Sequence, residues 1–266
     1  MKQDRLCLQL MSVPLRITCD HLLSCVIKDR FTAFLASPSD GRLAYSVRLH
    51  SLDHALDHPR RPEVSGSGGF YTFVRHDMSG SIDSGKRLIQ ARLWPNQYSL
   101  ETMLRIIYSV LLMRKGGCLI HASSVAWANQ GFLFVGPSGS GKTTIAHLLP
   151  EVAILSDEIS ALAPWQGVYH LFGNTFFSDD QEKGLARQVP LKRVFFLFHG
   201  RQNTCLPMRS QAATRILLQT VMFFLRDNSA GLQMMDTLIA LVEQVPCFAL
   251  HFLPEPAVWQ TILSTI

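Results

Sequence analysis

The chain has 266 residues, enough for one large domain or two small ones with ample core. Apolar residues make up 47% and charged residues 17%, which excludes a disordered chain. The formal charge of +5 comes from scattered Lys and Arg with no basic run, so nucleic-acid binding is disfavoured and a polyanionic nucleotide suits the excess better.

Cysteines at 7, 19, 25, 118, 205 and 247 show neither a C-x-x-C nor a paired spacing. No segment reaches 18 uninterrupted apolar residues, and the N-terminal MKQDRLCLQLMSVP lacks the apolar core and cleavage site of a signal peptide. The expectation is a cytoplasmic protein with reduced, mostly buried thiols and no membrane segment.

Residues 1–95 read as a small β-rich domain or layer of unreadable role. Leu15–Cys19, Thr32–Leu35, Leu43–Leu49, Phe70–Arg75 and Arg87–Leu93 are short runs with β-branched or aromatic residues. Ser37–Gly41 and Ser65–Gly69 have loop composition. His50, His54 and His58 would share a face if helical, as zinc ligands can. However, Pro59, Asp53 and Asp57 favour a solvated turn instead.

From residue 96 onward the pattern changes. Ser99–Lys115 predicts a helix with Ser99 as N-cap, Glu101 in the first turn and Gly116-Gly117 as the stop. A hairpin follows, Cys118–Trp127 and Phe132–Val135, turning through Asn129-Gln130-Gly131. Then Gly136-Pro137-Ser138-Gly139-Ser140-Gly141-Lys142-Thr143 fits G-x-x-x-x-G-K-[ST] at every position. Glycines let consecutive N–H groups face inward ahead of a helix start, which makes a cradle for phosphate oxygens. Lys142 can reach the β- and γ-phosphates, and the Thr143 hydroxyl can ligand Mg²⁺. Gly136, Ser138, Gly139, Ser140, Gly141, Lys142, Thr143 and Thr144 are therefore the expected nucleotide-binding residues.

After the loop come a helix over Thr143–Leu149 and a strand over Glu151–Leu155, ending at Ser156-Asp157-Glu158. Only 14 residues lie between Lys142 and Asp157, so the acidic pair is expected at the carboxyl end of the strand, beside the loop. One carboxylate can serve the metal while the other faces an incoming hydroxyl. Strands Val168–Phe172, Arg193–Phe198 and Cys247–Phe252, with helices over Ser210–Leu225, Leu232–Val242 and Ala257–Leu263, complete an α/β pattern. Lys183, Arg187, Lys192 and Arg193 are candidates to neutralise a transferring phosphoryl group.

Ile120-His121-Ala122, Gly136–Thr143 and Ser156-Asp157-Glu158 together resemble HPr kinase/phosphorylase and its shorter relatives, a branch of P-loop enzymes similar to the phosphoenolpyruvate carboxykinases. Weaker echoes are Phe172–Phe176, Pro190-Leu191 with Val194–Leu197, and Leu250-His251-Phe252. The resemblance covers residues 100–262 and implies a mixed sheet with flanking helices. It also implies ATP and Mg²⁺, Asp157 as general base, Glu158 and Thr143 at the metal, and His121 tuning Asp157. Lys142 joins the catalytic set. Glu158 departs from the family's usual Asp, and the segment that runs phosphorolysis is not recognisable around 173–190.

The function expected is therefore phosphoryl transfer from ATP to a Ser/Thr hydroxyl of a peptide or protein, or to a small hydroxylated metabolite. A nucleotide-dependent ATPase or switch and a nucleotide-binding scaffold are the rival readings. Full-size members of the family form rings, so a homo-oligomer is among the expected partners.

Overall fold

A computed structural model describes residues 3–11, 13–37, 44–149, 151–177 and 184–265. The chain divides into two compact units, Met1–Arg114 with Phe223–Gln233, and Lys115–Met222 with Met234–Ile266.

In the first unit, β1 (Asp4–Leu10) and β2 (Val13–Cys19) form an antiparallel pair. Helix α1 (His21–Arg30) follows, then β3 (Tyr45–Ser51), β4 (Glu63–Ser67), β5 (Phe70–Arg75), β6 (Met78–Asp83), β7 (Leu88–Leu93) and helix α2 (Gln97–Met113). The strand order is β1-β2-β3-β7-β6-β5-β4, with β2, β3 and β7 mutually parallel. Strict alternation sends Leu8, Leu10, Leu15, Ile17, Val47, Leu49, Ile89 and Ala91 inward and Arg5, Arg16, Arg48 and Arg92 outward. Helices α1 and α2 contact this sheet, and the buried Tyr108 hydroxyl on α2 donates to Val13 O at 3.0 Å. That packing places α2 with the first unit, so the division falls at Arg114/Lys115, where the sequence reading set it at 95/96.

Three local expectations are corrected here. Thr32–Leu35 is not a strand: Thr32–Phe34 is a 3₁₀ turn continuing from α1, with the Thr32 hydroxyl donating to Lys28 O at 2.5 Å. Helix α2 begins two residues before Ser99, because Asn96 supplies the cap and its Oδ1 accepts from Ser99 N at 2.9 Å. His50 lies in β3 while His54 and His58 lie in irregular chain, so the shared helical face never forms. Most of the expected turn at Ser37–Gly41 and the first residue of the strand at Leu43–Leu49 lie outside the described residues.

The second unit is built from β8 (Cys118–Trp127), β9 (Gln130–Val135), α3 (Lys142–Leu148), β10 (Ala153–Ser156), β11 (Ile159–Trp165), β12 (Val168–Phe172) and β13 (Gln188–His199). Next come β14 (Thr204–Pro207), α4 (Ser210–Thr220), α5 (Asn228–Gln244), whose opening turns count with the first unit, β15 (Cys247–Phe252) and α6 (Val258–Leu263). β8 and β9 make the expected hairpin, and β9, β13 and β15 run parallel. The pairings β8–β11–β12–β13–β9–β8 close on themselves, so the sheet curls around its own core. A cluster of Val125, Phe132, Phe134, Ile145, Phe195, Leu250, Phe252 and Trp259 fills one side. The fold is thus mixed α/β, with two mixed sheets and six α-helices among the described residues.

Among the described residues, no helix is long and apolar enough to cross a membrane. All six cysteines are free; Cys19, Cys118 and Cys247 are buried, and burial pushes the Cys118 thiol up to about 12.

Candidate functional site

β9 is buried from Gly131 through Val135 and delivers the chain to Gly136. Two glycines there are demanded by close approach. A Cβ on Gly136 would stand 2.4 Å from Ser140 Oγ, and one on Gly141 would stand 2.8 Å from Phe252 Cζ. Gly141 also holds φ at +88°, the left-handed region, where it ends the loop as the residue before α3. Ser140 N donates to Pro137 O at 3.2 Å and Ile145 N to Gly141 O at 2.8 Å, so loop and helix form one hydrogen-bonded run. The buried Ser123 hydroxyl on β8 donates to Lys142 O at 2.8 Å and fastens the helix start to the sheet. Ile145 and Ala146 hold the other side of α3 in the aromatic core.

Lys142 is 7% exposed. Its Nζ donates to Gly136 O at 3.1 Å and to Pro137 O at 3.0 Å, so the ammonium is folded against its own loop. Burial pulls its pKa below the ordinary lysine value. The Ser140 hydroxyl is buried without a hydrogen-bond partner among the described residues. Ser138, Gly139, Thr143 and Thr144 are exposed.

The acidic pair reaches the same edge through β8. Val135, the last residue of β9, pairs with Ala122, while Ser156, the last of β10, pairs with Ser124 two residues along. Strand β8 thus sits between the two carboxyl ends and aligns them. Thr143 Oγ1 lies 3.5 Å from the main-chain oxygen of Asp157, which is 4% exposed. Glu158 is half-buried, and its main-chain oxygen accepts from Ala122 N at 3.1 Å. His121 pairs with Ile159, the residue after Glu158, and its side chain is exposed, so it is not a core histidine.

Sequence reasoning missed what holds this corner. Ser156 Oγ lies 2.8 Å from Ile159 O and 3.0 Å from Phe176 O, and it accepts from Ile159 N at 3.2 Å. Asn174, fully buried, donates from Nδ2 to Ile159 O at 2.9 Å and accepts from Phe176 N at 2.7 Å. Segment 173–177 therefore laces beneath Ser156–Glu158. Its only signal in the sequence is the weak Phe172–Phe176 echo. Phe252, under Gly141, lies in the last of those echoes.

The basic candidates do not gather here. β13 runs parallel to β9 with Leu191 opposite Gly131 and Arg193 opposite Phe132, which carries Arg187, Lys192 and Arg193 to the edge away from the loop. Arg187 donates to Asn129 Oδ1 at 2.8 Å in the hairpin turn. Arg193 donates to Thr265 O at 3.0 Å and lies 5.9 Å from the Phe248 ring centre. Lys183 lies outside the described residues. No three His, Cys, Asp or Glu side chains among the described residues cluster to hold a metal by themselves.

No curated protein matches the chain. Among solved structures, the HPr(Ser) kinase/phosphatase from Coxiella burnetii is similar at 12% identity over 55% of this chain and 88% of that one, with a TM-score of 0.33. At that score the likeness carries no argument about activity. A family model described as "ScmC: SynChlorMet cassette protein ScmC" matches residues 95–264, from just before α2 to the end of α6. By that match the chain belongs to the SynChlorMet cassette protein ScmC family.

Proposed function

We propose that this protein is an ATP-dependent kinase that transfers the γ-phosphoryl group to a hydroxyl of a peptide, a protein or a small metabolite. One observation carries the reading: the glycine loop with Lys142 and Thr143, and the corner bearing Asp157, arrive at one sheet edge with Thr143 Oγ1 3.5 Å from Asp157 O. The residues fit a nucleotide triphosphate. Gly136 and Gly141 let the loop close tightly against Ser140 and Phe252, and Lys142 has an ammonium whose burial makes an anionic partner favourable.

Thr143 and Glu158 suit Mg²⁺, which takes one or two protein oxygens and completes its shell with phosphates and water. When bound, the ion would neutralise charge on the phosphoryl oxygens. The chain's own part is to hold the phosphates by main-chain N–H groups and Lys142, to align the acceptor, and to take its proton on the Asp157 carboxylate. At 4% exposure Asp157 is nearly enclosed, so the acceptor hydroxyl has to reach into the corner to meet it. Glu158 follows Asp157 in the chain, and His121 stands on β8 opposite Ile159, two residues from Asp157.

The test is Asp157→Asn, assayed with labelled ATP against seryl peptides and hydroxylated metabolites. Transfer is expected to fall by about 10²–10⁴-fold while ATP binding persists, as for loss of a general base. Unchanged turnover removes Asp157 as the base. Free phosphate as the only product supports an ATPase instead.

A further inference from the structure

Four arginines stand on the outward face of the first sheet and make no hydrogen bond or ion pair with any described residue: Arg5, Arg16, Arg48 and Arg92. The register sets them in a compact array. Arg5 is opposite Thr18, Thr18 beside Arg48, and Arg48 beside Gln90; Arg16 is beside Ser46 and Arg92 beside His50. With strands about 4.8 Å apart, Arg5 and Arg48 stand about 10 Å apart across the face. Both α1 and α2 make their strand contacts with a sheet whose apolar side chains point the other way, so this face is left to solvent.

Three linked hollows run along it. A cavity of about 870 Å³ is lined by Asp20, His50, Asp53 and Arg92. It shares Gln3 and His50 with one of about 450 Å³, which in turn shares Arg5, Thr18 and Arg48 with a third of about 460 Å³ reaching Arg16. Two carboxylates stand at the wide end. Asp20 is occupied by Ser51 N, Ser51 Oγ and Leu23 N at 2.7, 2.8 and 3.2 Å, and Asp53 is exposed. The rest of the trough is basic or neutral.

We propose that this trough binds an acidic polypeptide segment in extended conformation. Guanidinium forks match carboxylates two bonds at a time, and the strand register fixes the spacing of the backbone positions from which these arginines extend. An elongated run of joined hollows suits an extended chain better than a compact ligand. Single-stranded nucleic acid is usually held by several stacking rings, and β1, β2, β3 and β7 present no Phe, Tyr or Trp on that face and only His50 as a ring. The inference does not rest on the kinase reading, since every residue in it belongs to the first unit.

The experiment uses the full chain and fluorescence anisotropy with three short labelled probes: a peptide alternating Glu and Thr, its Gln-for-Glu counterpart, and an oligothymidylate. The Glu peptide is expected to bind, weakening with salt, and to bind about tenfold or more weakly to Arg5→Thr/Arg48→Thr. Threonine suits an exposed strand position, and an unchanged melting temperature confirms the fold. Arg215→Gln, an exposed charge on α4, should leave affinity unchanged. If the double variant melts early, Arg16→Thr/Arg92→Thr carries the same test. No binding of the Glu peptide, equal binding of the Gln peptide, tighter binding of the oligonucleotide, or an arginine variant with full affinity would each overturn the proposal.

Discussion

Gly141 shows how one residue joins sequence pattern to tertiary packing. The motif asks for glycine, and the structure supplies two independent reasons: φ at +88° and the Phe252 ring where a Cβ would go. Gly141→Ala should therefore cost about 1–2 kcal/mol for the left-handed backbone alone, with further loss from displacing Phe252. Urea unfolding measures the total loss. Co-substitution of Phe252→Leu, which trims the ring, should recover part of the loss, and no recovery would mean that backbone strain is the whole effect. Lys142 is legible in the sequence as a candidate, but its resting place against Gly136 O and Pro137 O is not, because a carbonyl's direction depends on loop dihedrals that composition does not encode.

Among the elements, α2 was the clearest in the sequence, yet its most consequential side chain was misread. Glu101, expected as a first-turn acid, is buried and accepts from Arg30 Nε of α1 at 2.6 Å, with Arg105 Nη2 3.7 Å away. Glu101→Gln leaves Arg30 buried against a neutral partner and should destabilise the first unit by about 3 kcal/mol, read as a lower urea midpoint. Asp77 ties the same N-terminal end of α2, accepting two bonds from Arg75 at 2.6 and 2.7 Å and one from the Ser99 hydroxyl. Burial alone would raise its pKa, but the bonds from Arg75 and Ser99 outweigh that and hold it below the usual value. Its contribution to stability is thus fully present above the unfolded carboxylate value of about 3.9 and is lost as pH falls below it through the folded pKa. Asp77→Asn should flatten that acid limb of the stability–pH curve; an unaltered limb would assign it to other carboxylates.

For the molecule as a whole, the division into two units makes a spatial prediction. Mg-ATP at saturating concentration should slow amide hydrogen exchange in β9, α3 and β10, while β1–β7 keep their rates. Ligand at about a hundred times Kd adds about 2.7 kcal/mol to the state that binds it. Protection confined to the first sheet would place the nucleotide elsewhere and sink the loop reading, and the acidic-peptide probe should give the converse pattern.

Local chemistry determined a good deal of this protein. The β8–β9 hairpin, the loop over Gly136–Thr143 and the strand leading to Asp157 follow one another closely in the chain, and each is specified by turn residues, alternation or glycine spacing within a few positions. The tertiary structure decided whatever depends on partners distant in the chain. It set the closed circuit of strands and the lacing of Asn174 beneath Ser156–Glu158. It also carried Arg187 and Arg193 to the far edge and aligned four outward arginines across β1, β2, β3 and β7. Register across a sheet is a long-range choice made by burying one face of every strand at once, and no short window of sequence contains it.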